Sequence, residues 1–274
     1  MALVIAAGSA AAAQDSAAAR WELAAELRGG VPTGWVQVRE NAIAGTRLSF
    51  GPSLEVHALW AAELRGEFHP DARTRIALSL TSFTLDGSVT LPQNVDFNGA
   101  TLEGGTTLAT RTSFPHWLAL TLTGTRDVAH PGAGAIGVTA GLSFVALTFV
   151  LEGTLAPASA TRETQEDFVT QELPVPLLGA EYRAPIGERW RVEARVTGGW
   201  LPWVNSLRQE GGTVTITQTE LQLAGLVRYA AARSLDVTGE VRFSTFAQDE
   251  QSTEDGNQIS MRALTLGVGA AWRF

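Results

Sequence analysis

Residues 261–274 read MRALTLGVGAAWRF, and the fold is decided there. A period of two places Leu264, Leu266, Val268, Ala270, Trp272 and Phe274 on one side of an extended chain, with Thr265, Gly267, Gly269, Ala271 and Arg273 on the other. In a soluble sheet the apolar side would pack on a core. No covering helix is legible anywhere in the chain, so lipid is the natural cover. A transmembrane strand takes about 9–11 residues with aromatics near the water boundary, where Trp272 and Phe274 stand.

Composition agrees with strands rather than helices as the spanning elements. Of 274 residues 45% are hydrophobic, and the mean hydropathy is only +0.07. The longest apolar run, residues 142–151, is interrupted by Ser143 and Thr148 and falls short of the roughly 18 residues of a spanning helix. Barrel strands escape hydropathy because alternate residues face a polar lumen. Without cysteine there is no disulfide, zinc-thiolate site or thiol nucleophile. All basic residues are arginine, and the net charge of −8 argues against nucleic acid as a partner.

The N-terminus carries a short apolar run, Ala2 to Ala7, then small residues through Ala11 and Ala13. This reads as the end of an export signal over residues 1–13, cleaved near Ala13 and Gln14, although a basic leading segment is missing; the alternative is a disordered Ala-rich tail. Residues 14–274 form the second unit, and the fold is read from Arg20 onward.

Ten alternating stretches follow: residues 20–29, 56–68, 74–85, 113–126, 135–151, 172–184, 190–200, 213–229, 235–246 and 261–274. On the second, Val56, Ala58, Trp60, Ala62, Leu64 and Phe68 share a face; on the seventh, Trp190, Val192, Ala194, Val196 and Trp200 do. Short turns near Pro70, Pro131, Gly187 and Ala232 alternate with long polar connections at 30–53, 86–112, 156–171, 201–212 and 248–257. That rhythm is the one expected of short periplasmic turns and long external loops. The expectation is an all-β, transmembrane, antiparallel up-and-down β-barrel of about ten strands. Eight or twelve stay open, because 30–53 and 86–112 each have room for a hairpin.

The mature chain resembles bacterial outer-membrane β-barrel proteins of the OmpA-like or OmpW-like size class. Gly45-Thr46-Arg47-Leu48, Phe97-Asn98-Gly99 and Pro174-Val175-Pro176-Leu177-Leu178-Gly179 look like recurrent elements of such chains, and a strand ending in Phe274 resembles their closing strand. The resemblance implies export through the periplasm to a Gram-negative outer membrane, a lipid surround and a monomer. It also implies reading of the C-terminal strand by the barrel assembly machinery. It implies no cofactor and no particular activity.

Charged residues on the non-lipid faces are the main candidates for function: Glu63, Arg65 and Glu67; Arg191, Glu193 and Arg195; Glu240 and Arg242. In a narrow lumen they either pair and plug it or line a path for small solutes. The expected role is a non-catalytic structural barrel or narrow channel. An outer-membrane hydrolase would need a rim site, for which His57 and His116 with Asp86 or Asp96 are the candidates. His69 and His130 fall in the periplasmic turns, and Ser113 with His116 lacks same-face spacing. A soluble barrel binding a lipophilic ligand is the third reading. Trp21, Trp60, Trp117, Trp190, Trp200, Trp203, Tyr229 and Trp272 are assigned to interface girdles.

Overall fold

The computed structural model describes residues 20–40, 43–112, 114–154, 161–170, 174–205, 214–253 and 255–274; the export signal read at 1–13 and Ser113 lie outside the described residues. The strands are β1 (Trp21–Glu40), β2 (Leu48–Ser49), β3 (Leu59–Asp71), β4 (Thr74–Thr90), β5 (Val95–Phe97), β6 (Ala100–Leu102), β7 (Thr107–Thr112), β8 (Trp117–Ala129), β9 (Ala135–Thr154), β10 (Thr161–Thr170), β11 (Val175–Ile186), β12 (Trp190–Asn205), β13 (Thr215–Ala230), β14 (Leu235–Gln251) and β15 (Asp255–Arg273). Ten of them close a ring in the order β1, β3, β4, β8, β9, β11, β12, β13, β14, β15 and back to β1, every pairing antiparallel. At the seam the Phe274 N–H donates to the Trp21 carbonyl at 3.0 Å, and the Trp21 N–H donates to Phe274 at 3.1 Å. Closure leaves the barrel wall no edge strand.

The outer face is apolar because alternation is kept through each wall strand. Leu266 and Val268 are 68% and 69% exposed, while their neighbours Thr265 and Ala271 are buried inside. Such a band of exposed Leu, Val and Ile around a closed sheet is the surface a bilayer covers. Trp21 packs on Phe68 and Trp190 on Tyr229 near the short turns, and exposed Trp200 and Trp203 mark the loop end. Ten residues separate Trp190 from Trp200, about 34 Å along a strand and about 25 Å across a membrane at the usual tilt. Trp117 corrects the girdle assignment: it is 3% exposed and stacks inside on Phe83 with ring centroids 4.5 Å apart. It occupies an inward position of β8, in phase with Ala119 and Thr121.

Several connections are more ordered than their polar composition suggests. β1 runs through Pro32 and Gly34 to Glu40, paired with β15 throughout, whereas its pairing with β3 stops at Gly30↔Leu59. Between that point and the short pairing with β2 at Trp35↔Ser49, Pro32 lies where its other side has no strand partner, as proline requires. The stretch 86–112 extends β4, forms the β5–β6 hairpin and adds β7 against β4 and β9. Asn98 and Gly99 both have positive φ, 49° and 67°, which is what a two-residue hairpin turn requires of Phe97-Asn98-Gly99. β10 occupies part of 156–171 and pairs with β9. Residues 248–257 are mainly the rising ends of β14 and β15, in register to Gln251↔Gly256.

These loop elements fold inward. Val36, Val38, Leu48, Phe50, Leu54, Val56, Phe97 and Leu102 join Leu147, Phe149, Ile259 and Met261 from the wall in one buried apolar cluster. Val56 is therefore a plug residue, not a lipid-facing one: the wall part of β3 begins only at Leu59. The cluster explains why residues 142–151 are apolar on both faces, with lipid outside and the plug inside.

Candidate functional site

Inward positions change character from the short turns to the loops. Along β14 they run Asp236, Thr238, Glu240, Arg242, Ser244 and Phe246; along β8, read downward, Trp117, Ala119, Thr121, Thr123, Thr125 and Asp127. A charged floor, a belt of small hydroxyl-bearing and alanine side chains, and an apolar roof are thus written into alternate residues.

The floor is a network of four neighbouring ion-pair clusters. Glu63 takes Arg28 at 2.8 Å and Arg242 at 3.1 Å, and Arg28 also reaches Glu26 at 2.7 Å. Arg242 pairs with Glu240 and Arg65 with Glu67, and His69 Nε2 lies 3.0 Å from Glu67. Glu193 joins Arg195 at 2.6 Å to Arg228 at 2.8 Å, and Arg228 continues to Glu22 at 2.7 Å. Glu181 is a hub for Arg75 and Arg183, each at 2.9 Å, and for Arg195 at 3.5 Å. Arg183 donates from Nη2 to both Asp127 oxygens, at 2.7 and 2.8 Å, and Asp236 binds Arg191 and Arg273. Nine arginines meet nine carboxylates in these pairs, so the floor is electrically balanced.

All eight lumenal candidates from the sequence, Glu63, Arg65, Glu67, Arg191, Glu193, Arg195, Glu240 and Arg242, lie in this network. Sequence reading missed Glu22, Glu26, Arg28, Arg75, Asp127, Glu181, Arg183, Arg228, Asp236 and Arg273 as members. Asp127 was assigned to a turn, but β8 continues through it. Glu181 and Arg183 alternate with the lipid-facing Tyr182 within the stretch 172–184, so the period of two already carried that signal. Small inward neighbours make room for the long side chains: a Cβ on Gly267 would stand 2.6 Å from Arg28 Cγ, and Ala224 is level with both Arg195 and Arg242.

Above the floor lies a cavity of about 170 Å³. Its walls are short because Ala77, Ser79, Ala119, Thr121, Ala180 and Ala224 point inward, and Phe83, Trp117, Phe246 and Met261 roof it. Glu220 stands in the upper wall. Among the described residues its only hydrogen bond comes from Ser143, at 3.4 Å to Oε2, and its buried Oε1 has none.

At the rim a groove of about 470 Å³ gathers Glu55, His57, Asp86, Ser88, Arg111 and Glu152. His57 and Asp86 are thereby brought together; Asp96 instead takes the Thr101 hydroxyl at 2.6 Å in the β5–β6 hairpin, and neither Asp96 nor His116 lines the groove. His69 lies on β3 near its end and His130 in the β8–β9 turn. Among the described residues no cluster of three His, Asp or Glu could hold a metal ion.

No protein-family model matches the chain, and no curated protein sequence matches it. Solved structures do. The outer-membrane protease OmpT of Escherichia coli superposes with a TM-score of 0.51 at 13% identity, covering 92% of this chain and 97% of that one. The transport unit of the E. coli autotransporter AIDA-I gives 0.43 at 8% identity over 97% and 93% of the two chains, and Neisserial surface protein A gives 0.32 at 9% over 93% and 97%. At these identities the likeness bears on fold alone. Taken with the closed ten-strand ring and its apolar exterior, the OmpT likeness makes this chain an all-β antiparallel barrel of the outer-membrane type.

Proposed function

We propose that the protein is an integral bacterial outer-membrane barrel whose lumen is sealed, acting as a membrane-anchored structural barrel rather than as an open channel, and without catalysis. The observation that carries this reading is the balanced floor of nine paired arginines, roofed by the apolar plug. A solute would have to break several buried ion pairs and then cross side chains that offer it no hydrogen bonds. Ten strands enclose little more space than side chains fill.

The test is conductance. Refolded protein delivered to a planar bilayer from proteoliposomes is expected to give no steady unitary current, with insertion checked by protease protection of those proteoliposomes. Steady current that changes with Arg191→Ala or Arg195→Ala would replace this reading with a narrow charged channel.

A second reading has one observation in its favour. His57 and Asp86 share the rim groove with Ser88, as a hydrolytic site at the extracellular end would require, and the similar fold of OmpT belongs to an outer-membrane protease. Hydrolysis of a peptide or lipid panel that disappears in both His57→Ala and Asp86→Ala would establish it. Activity indifferent to both would remove it.

A further inference from the structure

We infer that the lumenal cavity is a binding site for a small organic ammonium ion, with Glu220 as its counter-charge. The proposal goes beyond the sealed-barrel reading and does not require it. Each carboxylate of the floor has an arginine; Glu220, in the wall above it, has none among the described residues. The paired guanidiniums do not neutralise it. Ala224, the β13 residue level with Arg195 and Arg242, is four positions further down, about 13 Å along the strand. A carboxylate oxygen buried without a partner is costly unless a cation or a proton meets it.

The surroundings specify the kind of cation. Gly199 faces Glu220 across the β12–β13 pair, and a Cβ there would come within 3.0 Å of Glu220 Cγ, so the carboxylate is given room on that side. Ser143 and the threonine belt supply hydroxyl acceptors for N–H groups below it, while Phe246, Met261 and Trp117 present apolar and aromatic surface above. A lone carboxylate is too few ligands for a divalent metal. The volume, about 170 Å³, is close to the roughly 150 Å³ of an apolar cavity that accepts benzene. A primary ammonium on a body of benzene size satisfies charge, hydrogen bonding and volume together.

The experiment uses the refolded full chain in detergent, benzylamine as the cationic probe, and benzyl alcohol and benzoate as its neutral and anionic counterparts. Binding is read by calorimetry and by the emission of Trp117, isolated by subtracting a Trp117→Phe variant. Saturable benzylamine binding is expected, weakened about tenfold to a hundredfold in Glu220→Gln, with benzyl alcohol indifferent to that substitution and benzoate excluded. Ala119→Leu, which fills the cavity between Trp117 and the level of Ser143 and leaves Glu220 in place, is expected to block the probe while migrating as a folded barrel on unheated gels. Equal benzylamine affinity in wild type and Glu220→Gln, no binding at all, or binding undisturbed by Ala119→Leu would overturn the assignment and leave Glu220 protonated or met by water. Conductance measured on the same preparation keeps failure of the sealed-barrel reading separate.

Discussion

Replacing Glu181 by glutamine removes the hub of the floor, and the structure sets what that should cost. The side chains of Glu181 and Arg75 are only 4% and 7% exposed. Without Glu181, Arg183 retains Asp127 at 2.7 Å and Arg195 retains Glu193 at 2.6 Å, but Arg75 is left with Asp127 at 3.8 Å. One buried guanidinium is then uncompensated, a loss of about 3–5 kcal/mol. With an m-value of about 2 kcal/mol per molar urea, the unfolding midpoint in vesicles should fall by about 2 M. The double variant Glu181→Gln, Arg75→Met restores charge balance with a side chain of similar length, and should recover to within about 1 kcal/mol of wild type. A single variant costing less than about 1 kcal/mol, the value of a solvated pair, would refute the reasoning. The floor would then be wet, and the case for a sealed lumen would fall with it.

Glu220→Gln should do the opposite and raise stability by about 1 kcal/mol, since it removes an uncompensated charge; an unchanged or lower urea midpoint would mean that Glu220 has a partner in the folded barrel. Leu266→Arg on the lipid face should cost about 2–4 kcal/mol in folding titrations into vesicles, and a tolerated arginine there would deny that lipid covers β15. Gly34→Ala should cost about 1–3 kcal/mol, because Gly34 has φ +128° and a Cβ would meet the Ser260 carbonyl oxygen at 1.9 Å; wild-type stability in that variant would exclude strain at this bend. In the β3–β4 turn the Arg73 backbone N–H, with help from the Thr74 hydroxyl, holds the Asp71 carboxyl below its usual range. A depressed folded value stabilises above the unfolded pKa of about 4 and is lost as pH falls through the folded one. Asp71→Asn should therefore be less stable than wild type at neutral pH, and the difference should close in acid; a gap independent of pH would count against the turn hydrogen bonds.

The strand assignments and the lumenal direction of Glu63, Arg65, Glu67, Arg191, Glu193, Arg195, Glu240 and Arg242 were legible because they rest on a period of two, which is local. Leu266 and Thr265 must face opposite ways whatever they pair with. Lipid as the outer cover followed from the same alternation, since a long apolar face needs something against it. Asp127 and Val56 were misplaced at strand boundaries, where alternation fades and register with a neighbour decides.

What period two leaves open is which inward residues meet across the lumen, and only closure of the ring decides that. Arg228 and Glu22 are 206 positions apart in sequence and 2.7 Å apart in space. The balance of the floor, and with it the surplus of Glu220, exists only once those partners are counted. The plug is likewise a tertiary result: Phe50, Leu54 and Phe97 sit in segments of turn-rich composition, and they become a core because the barrel mouth offers them an apolar wall in place of water. Thus alternation along the chain determined the barrel and its two faces, while the side chains that meet across the closed ring decided that a charged floor and an apolar plug flank the lumenal cavity.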